Sequence, residues 1–160
     1  MTKIHHTLLF ILLLLFCSCG RSLQRDIQIS STGFKLHGMT GAQMELQVSN
    51  SGTHIVGMEQ LQFTLSDQGR ELLTATLIEP IEIEAHSHST FRTLWRIRTP
   101  QPFALYQFMR KITPEQAEQA VVRTTGVLRM DKRRRNFSRS MSFSSFLDTF
   151  GVGLEDIRIE

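Results

Sequence analysis

Four groups of side chains in this sequence could do chemistry. Cys17 and Cys19 are its only thiols, and they lie in the stretch LLLLFCSCG at residues 12–20. A thiolate can act as a nucleophile, bind a metal or form half of a disulfide, and its surroundings decide which. His86 and His88 stand two apart in IEIEAHSHST, with Glu84 on the same parity. On an extended strand the three would share one face, and such donors can hold zinc once a third or fourth ligand joins them. Lys132, Arg133, Arg134 and Arg135 form an unbroken basic run, suited to an anionic surface. Trp95, Phe103 and Tyr106 are the aromatic side chains placed to line a pocket for a small apolar ligand.

The surroundings of the thiols are the most informative. Behind MTKIHH, with its one certain charge at Lys3, an uninterrupted apolar run extends from Leu8 to Phe16. A helix over that run is about 13 Å long, whereas a bilayer core takes about 20 apolar residues. The run is too short to span and well sized for the apolar region of a signal peptide. Phe16-Cys17-Ser18-Cys19 resembles a bacterial lipoprotein signal, in which a cysteine follows small residues just after the apolar run. Phe16, where leucine is usual, and Cys17 depart from the pattern. The alternative is an ordinary secretory signal peptide that happens to contain cysteines. The resemblance implies diacylglyceryl transfer to the Cys19 thiol, cleavage after Ser18 and acylation of the new amino terminus. Two or more acyl chains anchor a protein stably, each buried methylene contributing about 0.8 kcal/mol. Gly20, in place of an aspartate, resembles lipoproteins sorted to the outer membrane, and no acidic run follows Cys19. The expectation is a domain in a bacterial envelope, lipid-anchored at the outer membrane and facing the periplasm.

Residues 1–18 then form the signal peptide, 19–25 the lipid anchor and tether, and 26–160 one domain. Cleavage would leave 142 residues without a thiol, enough chain for a hydrophobic core that must hold without disulfides. Lysine and arginine would number 17 against 15 acids, a near balance that does not argue for nucleic acid. No aromatic ladder accompanies the basic run, and nucleic acid is not an expected partner. No G-x-S-x-G elbow, P-loop or dinucleotide fingerprint appears. Asp67 and Glu71 flank a turn and read as solubilising. The chain is therefore expected to be non-enzymatic, with no catalytic residues, no cofactor and no metal. The HSHS segment reads as a solvated loop.

Alternation with period two dominates the domain. Met44, Leu46 and Val48 alternate with polar residues, as do Leu61, Phe63 and Leu65, then Leu73, Ala75 and Leu77, then Ile81, Ile83 and Ala85. Each run predicts a strand with one buried face. Ser49-Asn50-Ser51-Gly52 and Ser66-Asp67-Gln68-Gly69 are turn signals, the second joining strands near 58–66 and 70–78. Pro100-Gln101-Pro102 breaks the pattern, after which Leu105, Phe108, Met109 and Ile112 fall at helical spacing. That helix is expected to plug one end of the core. Thr113-Pro114 opens a second short helix. VVRTTGVLRM and NFSRSMSF read as strands with the basic run at their hairpin tip. Phe137, Met141 and Phe143 share one face with Arg139, and Ser138, Ser140, Ser142 and Ser144 form the other. SSFLDTFGVG reads as a short docking helix ended at Gly151, followed by LEDIRIE as a tail or an added strand.

The order of Val48-x-Asn50, the hairpin, IEPIEIEAHSHST, a short helix and Val122-x-x-x-Gly126-x-Leu128 is similar to the late embryogenesis abundant type 2 family, the water-stress and hypersensitive-response domain. Where plant members often have Asn-Pro, this chain has Asn50-Ser51. The resemblance implies an immunoglobulin- or fibronectin-III-like antiparallel β-sandwich, with one or two short helices between late strands and no active site. The reading is a membrane-held module with an interaction or stress-protective role and an unknown envelope protein or lipid as partner. A carrier of a small apolar ligand or lipid is the alternative, and a metal-dependent or hydrolytic enzyme a remote one.

Overall fold

In the third strand the apolar alternation slips. Val56 and Met58 keep one parity, and Leu61, Phe63 and Leu65 keep the other, yet all five pack on core clusters. A regular strand would send one set outward. A bulge resolves the conflict: Glu59 pairs with Val127 and Gln62 with Thr125, so Gln60 and Leu61 together oppose Gly126. Gln60 takes φ 53° to make the extra step. A Cβ on Gly126 would lie 2.8 Å from the Phe137 ring, so glycine leaves room for that ring across the strand pair.

The computed structural model describes residues 26–37, 40–149 and 153–157. Its strands are β1 (Ile27–His37), β2 (Gly41–Asn50), β3 (Val56–Asp67), β4 (Arg70–Leu77), β5 (Ile81–Ile83), β6 (Ser87–Arg98), β7 (Val121–Met130) and β8 (Arg133–Ser142). The helices are α1 (Pro102–Lys111), α2 (Pro114–Gln119), α3 (Phe143–Thr149) and α4 (Leu154–Ile157). All pairings are antiparallel, in the order β1-β2-β6-β4-β3-β7-β8, with β5 beside the start of β3. β6 pairs with β2 along most of its length and joins β4 only through Trp95–Arg98. The sheet curls there, and its two halves face each other as an immunoglobulin-like β-sandwich.

Among the described residues two apolar clusters fill the interior. The larger takes Ile27, Leu46, Val48, Val56, Met58, Ile83, Trp95 and Leu128 from strands on both halves. The smaller lies under the helices and gathers Leu65, Leu72, Phe108, Ile112, Val122, Phe143 and Leu147. Phe63 packs against both, stacked on Trp95 at 5.3 Å and edge-on to Phe146 at 5.3 Å. Burial of this kind stabilises by about 25 cal/mol per Å² of apolar surface, and aromatic pairs add a further increment.

The β3–β4 hairpin turns through Gln68 and Gly69, both with positive φ, as a tight two-residue loop requires. Thr113 caps α2: its side chain accepts from Gln116 N while the Gln116 side chain accepts from Thr113 N. Four boundaries differ from the sequence expectation, the first being the start of β8, which falls at Arg133 rather than at Asn136. β6 begins at Ser87, so His88 is a strand residue and the expected HSHS loop is shorter. β8 ends at Ser142, whose Oγ accepts from Ser145 N, and Ser144 is helical. Of the last two positions of the expected serine face, Ser142 thus caps α3, and Ser144 lies within it and donates to Glu118 of α2. Leu154–Ile157 forms a helical turn rather than a tail or strand, and Leu154 and Ile157 pack on the smaller cluster. The expected signal peptide, Cys19, the tether and the stop at Gly151 lie outside the described residues.

Candidate functional site

The described chain begins at one pole of the sandwich, and Asn50 organises that pole. Asn50 ends β2 and is 2% exposed. Its Nδ2 donates to the carbonyls of His54 (2.9 Å) and Glu84 (3.0 Å), while its Oδ1 accepts from Gly52 N (2.9 Å). Only a carboxamide offers two donors and an acceptor in so small a volume. One side chain thus joins the β2–β3 and β5–β6 loops. Ser51 N donates to the Asp26 carbonyl at 2.8 Å and fixes the start of β1. A proline in place of Ser51 has no N–H to make that bond, so the departure from the Asn-Pro pattern has a structural use here. A Cβ on Gly52 would fall 2.9 Å from Asp26 Oδ2, and glycine permits the close approach.

The basic run sits at the same pole, with only Lys132 in the β7–β8 turn; Arg133, Arg134 and Arg135 belong to β8 rather than to the hairpin tip that the sequence suggests. Asp131 N donates to the Ile55 carbonyl at 3.1 Å, and Asp131 Oδ2 lies 2.5 Å from His54 Nδ1. The chain turns through Asp131 and Lys132, with Asp131 at φ 53°. The four cations of the run are not equivalent. Arg134 pairs with Glu59, which also meets Arg129, and Arg129 pairs with Glu82. Lys132, Arg133 and Arg135 are exposed and make no ion pair among the described residues. Arg133 is registered with Met130 and Arg135 with Leu128, so both lie on the core side of edge strand β8, at its open margin. Charges so placed resist pairing with a foreign strand.

The histidines do not converge. His86 occupies the β5–β6 turn at φ 50°, whereas His88 sits on β6 with Nδ1 2.5 Å from Ser49 Oγ. Glu84 lends its backbone carbonyl to Asn50 and to Ser87 Oγ. His37 is exposed, 3.4 Å from Gln43. Among the described residues no three His, Cys, Asp or Glu side chains gather as a metal site would require.

The opposite pole carries the helices. α1 packs through Ala104, Leu105, Phe108 and Met109. It leaves Phe103 (70% exposed) and Tyr106 (39% exposed) outward, on one stripe with Arg110. Trp95 is 4% exposed inside the larger cluster, where its Nε1 donates to Thr93 Oγ1 at 2.9 Å. The three aromatic residues considered for an apolar ligand are therefore not brought together. A cleft of about 200 Å³ between α1 and the β3–β4 hairpin is lined instead by Asp67, Arg70, Leu72, Phe108 and Lys111, among others. Beside the hairpin, Thr74 Oγ1 donates to Glu71 Oε1 at 2.6 Å and Arg98 Nη2 donates at 2.9 Å. The Thr74 hydroxyl is the largest cause holding the Glu71 carboxyl below its ordinary range; desolvation opposes it, and the Arg98 hydrogen bond and charge lower it further.

Sequence reasoning found the basic run and the Asn50 motif but not their meeting at one pole, which is a matter of topology. It missed the Glu59–Arg129–Glu82 network, whose members are far apart in sequence.

No protein-family model and no curated protein matches the chain. Solved structures are similar in fold. A protein from Archaeoglobus fulgidus is 7% identical, with a TM-score of 0.41, covering 72% of this chain and 94% of that one. The GAE domain of yeast GGA1 is 10% identical, with a TM-score of 0.38, covering 78% of this chain and 94% of that one. The chain is a β-rich domain similar in fold to GAE-like β-sandwiches.

Proposed function

We propose that this protein is a lipid-anchored, non-enzymatic module of the bacterial envelope. In this reading it is a late embryogenesis abundant type 2-like sandwich at the outer membrane, facing the periplasm, with an interaction or stress-protective role. The observation that carries the reading is the signal-like segment ending in Cys19-Gly20. Residues 20–25 reach at most about 21 Å when extended, so a lipid on Cys19 would hold the Asn50 pole close to the bilayer. The far pole then presents Phe103 and Tyr106 outward, and exposed aromatics are a common centre of protein interfaces. Trp95, stacked on Phe63 in the core, does not support the carrier alternative.

Fractionation of cells expressing the wild type or Cys19→Ala tests the anchor. The wild type is expected in the membrane pellet, resisting high salt and alkaline washing and released by detergent, with the variant in the soluble fraction. A soluble wild type would overturn the reading.

A further inference from the structure

The tether pole has a chemistry of its own beyond holding the fold together. Asp26, the Asn50 hub and the β7–β8 turn are tied by short hydrogen bonds, so any chain leading into Asp26 arrives beside the basic run. Glu59 and Glu82 at this end are already paired with Arg129 and Arg134. Asp131 faces His54, and Asp26 and Glu84 belong to neighbouring loops. Lys132 in the turn, and Arg133 and Arg135 at the start of β8, are the cations of the run left without an acidic partner among the described residues.

We infer that this pole docks on anionic phospholipid headgroups. Lys132, Arg133 and Arg135 meet the phosphates of the leaflet that carries the anchor, and α1 points away from the membrane. The inference rests on the lipid-anchored reading and adds an orientation to it. Each cation near an anionic surface contributes about fivefold to binding, so three shift the docked-to-free ratio by about a hundredfold. Salt screens the effect beyond about 10 Å.

The test uses the mature, acylated full-length protein in two vesicle preparations. One is phosphatidylcholine alone, and the other contains phosphatidylglycerol at about one part in three. Hydrogen exchange is read at the backbone amides of Asp131–Arg135 and Ser51–His54. Docking predicts slowed exchange at both segments in the anionic vesicles only, reversed by high salt. The combined variant Lys132→Gln, Arg133→Gln, Arg135→Gln abolishes it. The control Arg110→Gln, Lys111→Gln at the far pole keeps it. Equal exchange in the two vesicle types, or protection unchanged in the triple variant, overturns the inference. A purified protein without acyl mass refutes the anchor reading separately. Docking is then read from cosedimentation of that unacylated protein. A preference for the anionic vesicles that the triple variant removes upholds docking, and equal partition overturns it.

Discussion

Replacing Asn50 with alanine removes three hydrogen bonds at once. The lost bonds run to the carbonyls of His54 and Glu84 and from Gly52 N. At about 1 kcal/mol net for each bond, the loss is about 3 kcal/mol. That is a large share of the roughly 5–15 kcal/mol that holds a domain folded. At about 3–4 °C per kcal/mol for a domain of this size, the melting temperature falls by about 10 °C. Urea unfolding followed by the fluorescence of Trp95, the single tryptophan and a core residue, gives the free energy directly. Asn50→Asp supplies a signature that simple loss of packing lacks. Its first oxygen still accepts from Gly52 N, but its second faces two carbonyls. The folded-state pKa of that carboxyl then rises above its unfolded value of about 3.9. A raised folded pKa gives stability that is fully present below the unfolded value and lost as pH rises through the folded one. Asn50→Asp should therefore be the less stable variant at pH 7 and recover as pH falls toward 4, where Asn50→Ala shows no such recovery. An Asn50→Ala protein within about 0.5 kcal/mol of the wild type would refute the hub, because that is the range of an ordinary surface change.

Three further substitutions probe other parts of the fold. Thr124 Oγ1 is buried without a partner among the described residues, so Thr124→Val, of the same shape, should raise stability by about 1 kcal/mol in urea unfolding. Gly126→Ala pushes a methyl against the Phe137 ring and should cost about 1–3 kcal/mol, with a double-mutant cycle against Phe137→Leu showing less than additive loss. Thr74→Val removes the main cause of the lowered Glu71 pKa, which should move up toward the ordinary carboxylate range in an NMR titration. Because that pKa is depressed in the folded state, the associated stability is present above the unfolded value and lost as pH falls through the folded one, and the variant should lose less on acidification.

Local chemistry was readable wherever one segment contains its own instructions. Gln68-Gly69 supplies the positive φ of its turn, and Pro102 and the Thr113–Gln116 box start their helices without help from elsewhere. The misplaced boundaries depended on distant partners. The bulge at Gln60 needs Gly126 across the sheet, so its glycine and its extra residue are far apart in the chain. Ser142 reads as one more strand serine until Phe143 N bonds the Ala120 carbonyl and starts α3. His88 joins the sheet because Ser49 stands opposite it on β2. The candidate site divides in the same way. The basic residues were visible as a run, but which were free depended on Glu59, 75 positions away from Arg134. Asn50 was visible as a motif, whereas its partners are backbone carbonyls, which carry no signal in residue type.

Whether Cys19 carries a lipid is read from the intact mass of the purified protein. The expected species is a mature chain that begins at Cys19, lacks residues 1–18 and carries acyl mass, while Cys19→Ala gains none. A wild-type protein of unacylated mass, the same with and without the cysteine, would contradict the anchor.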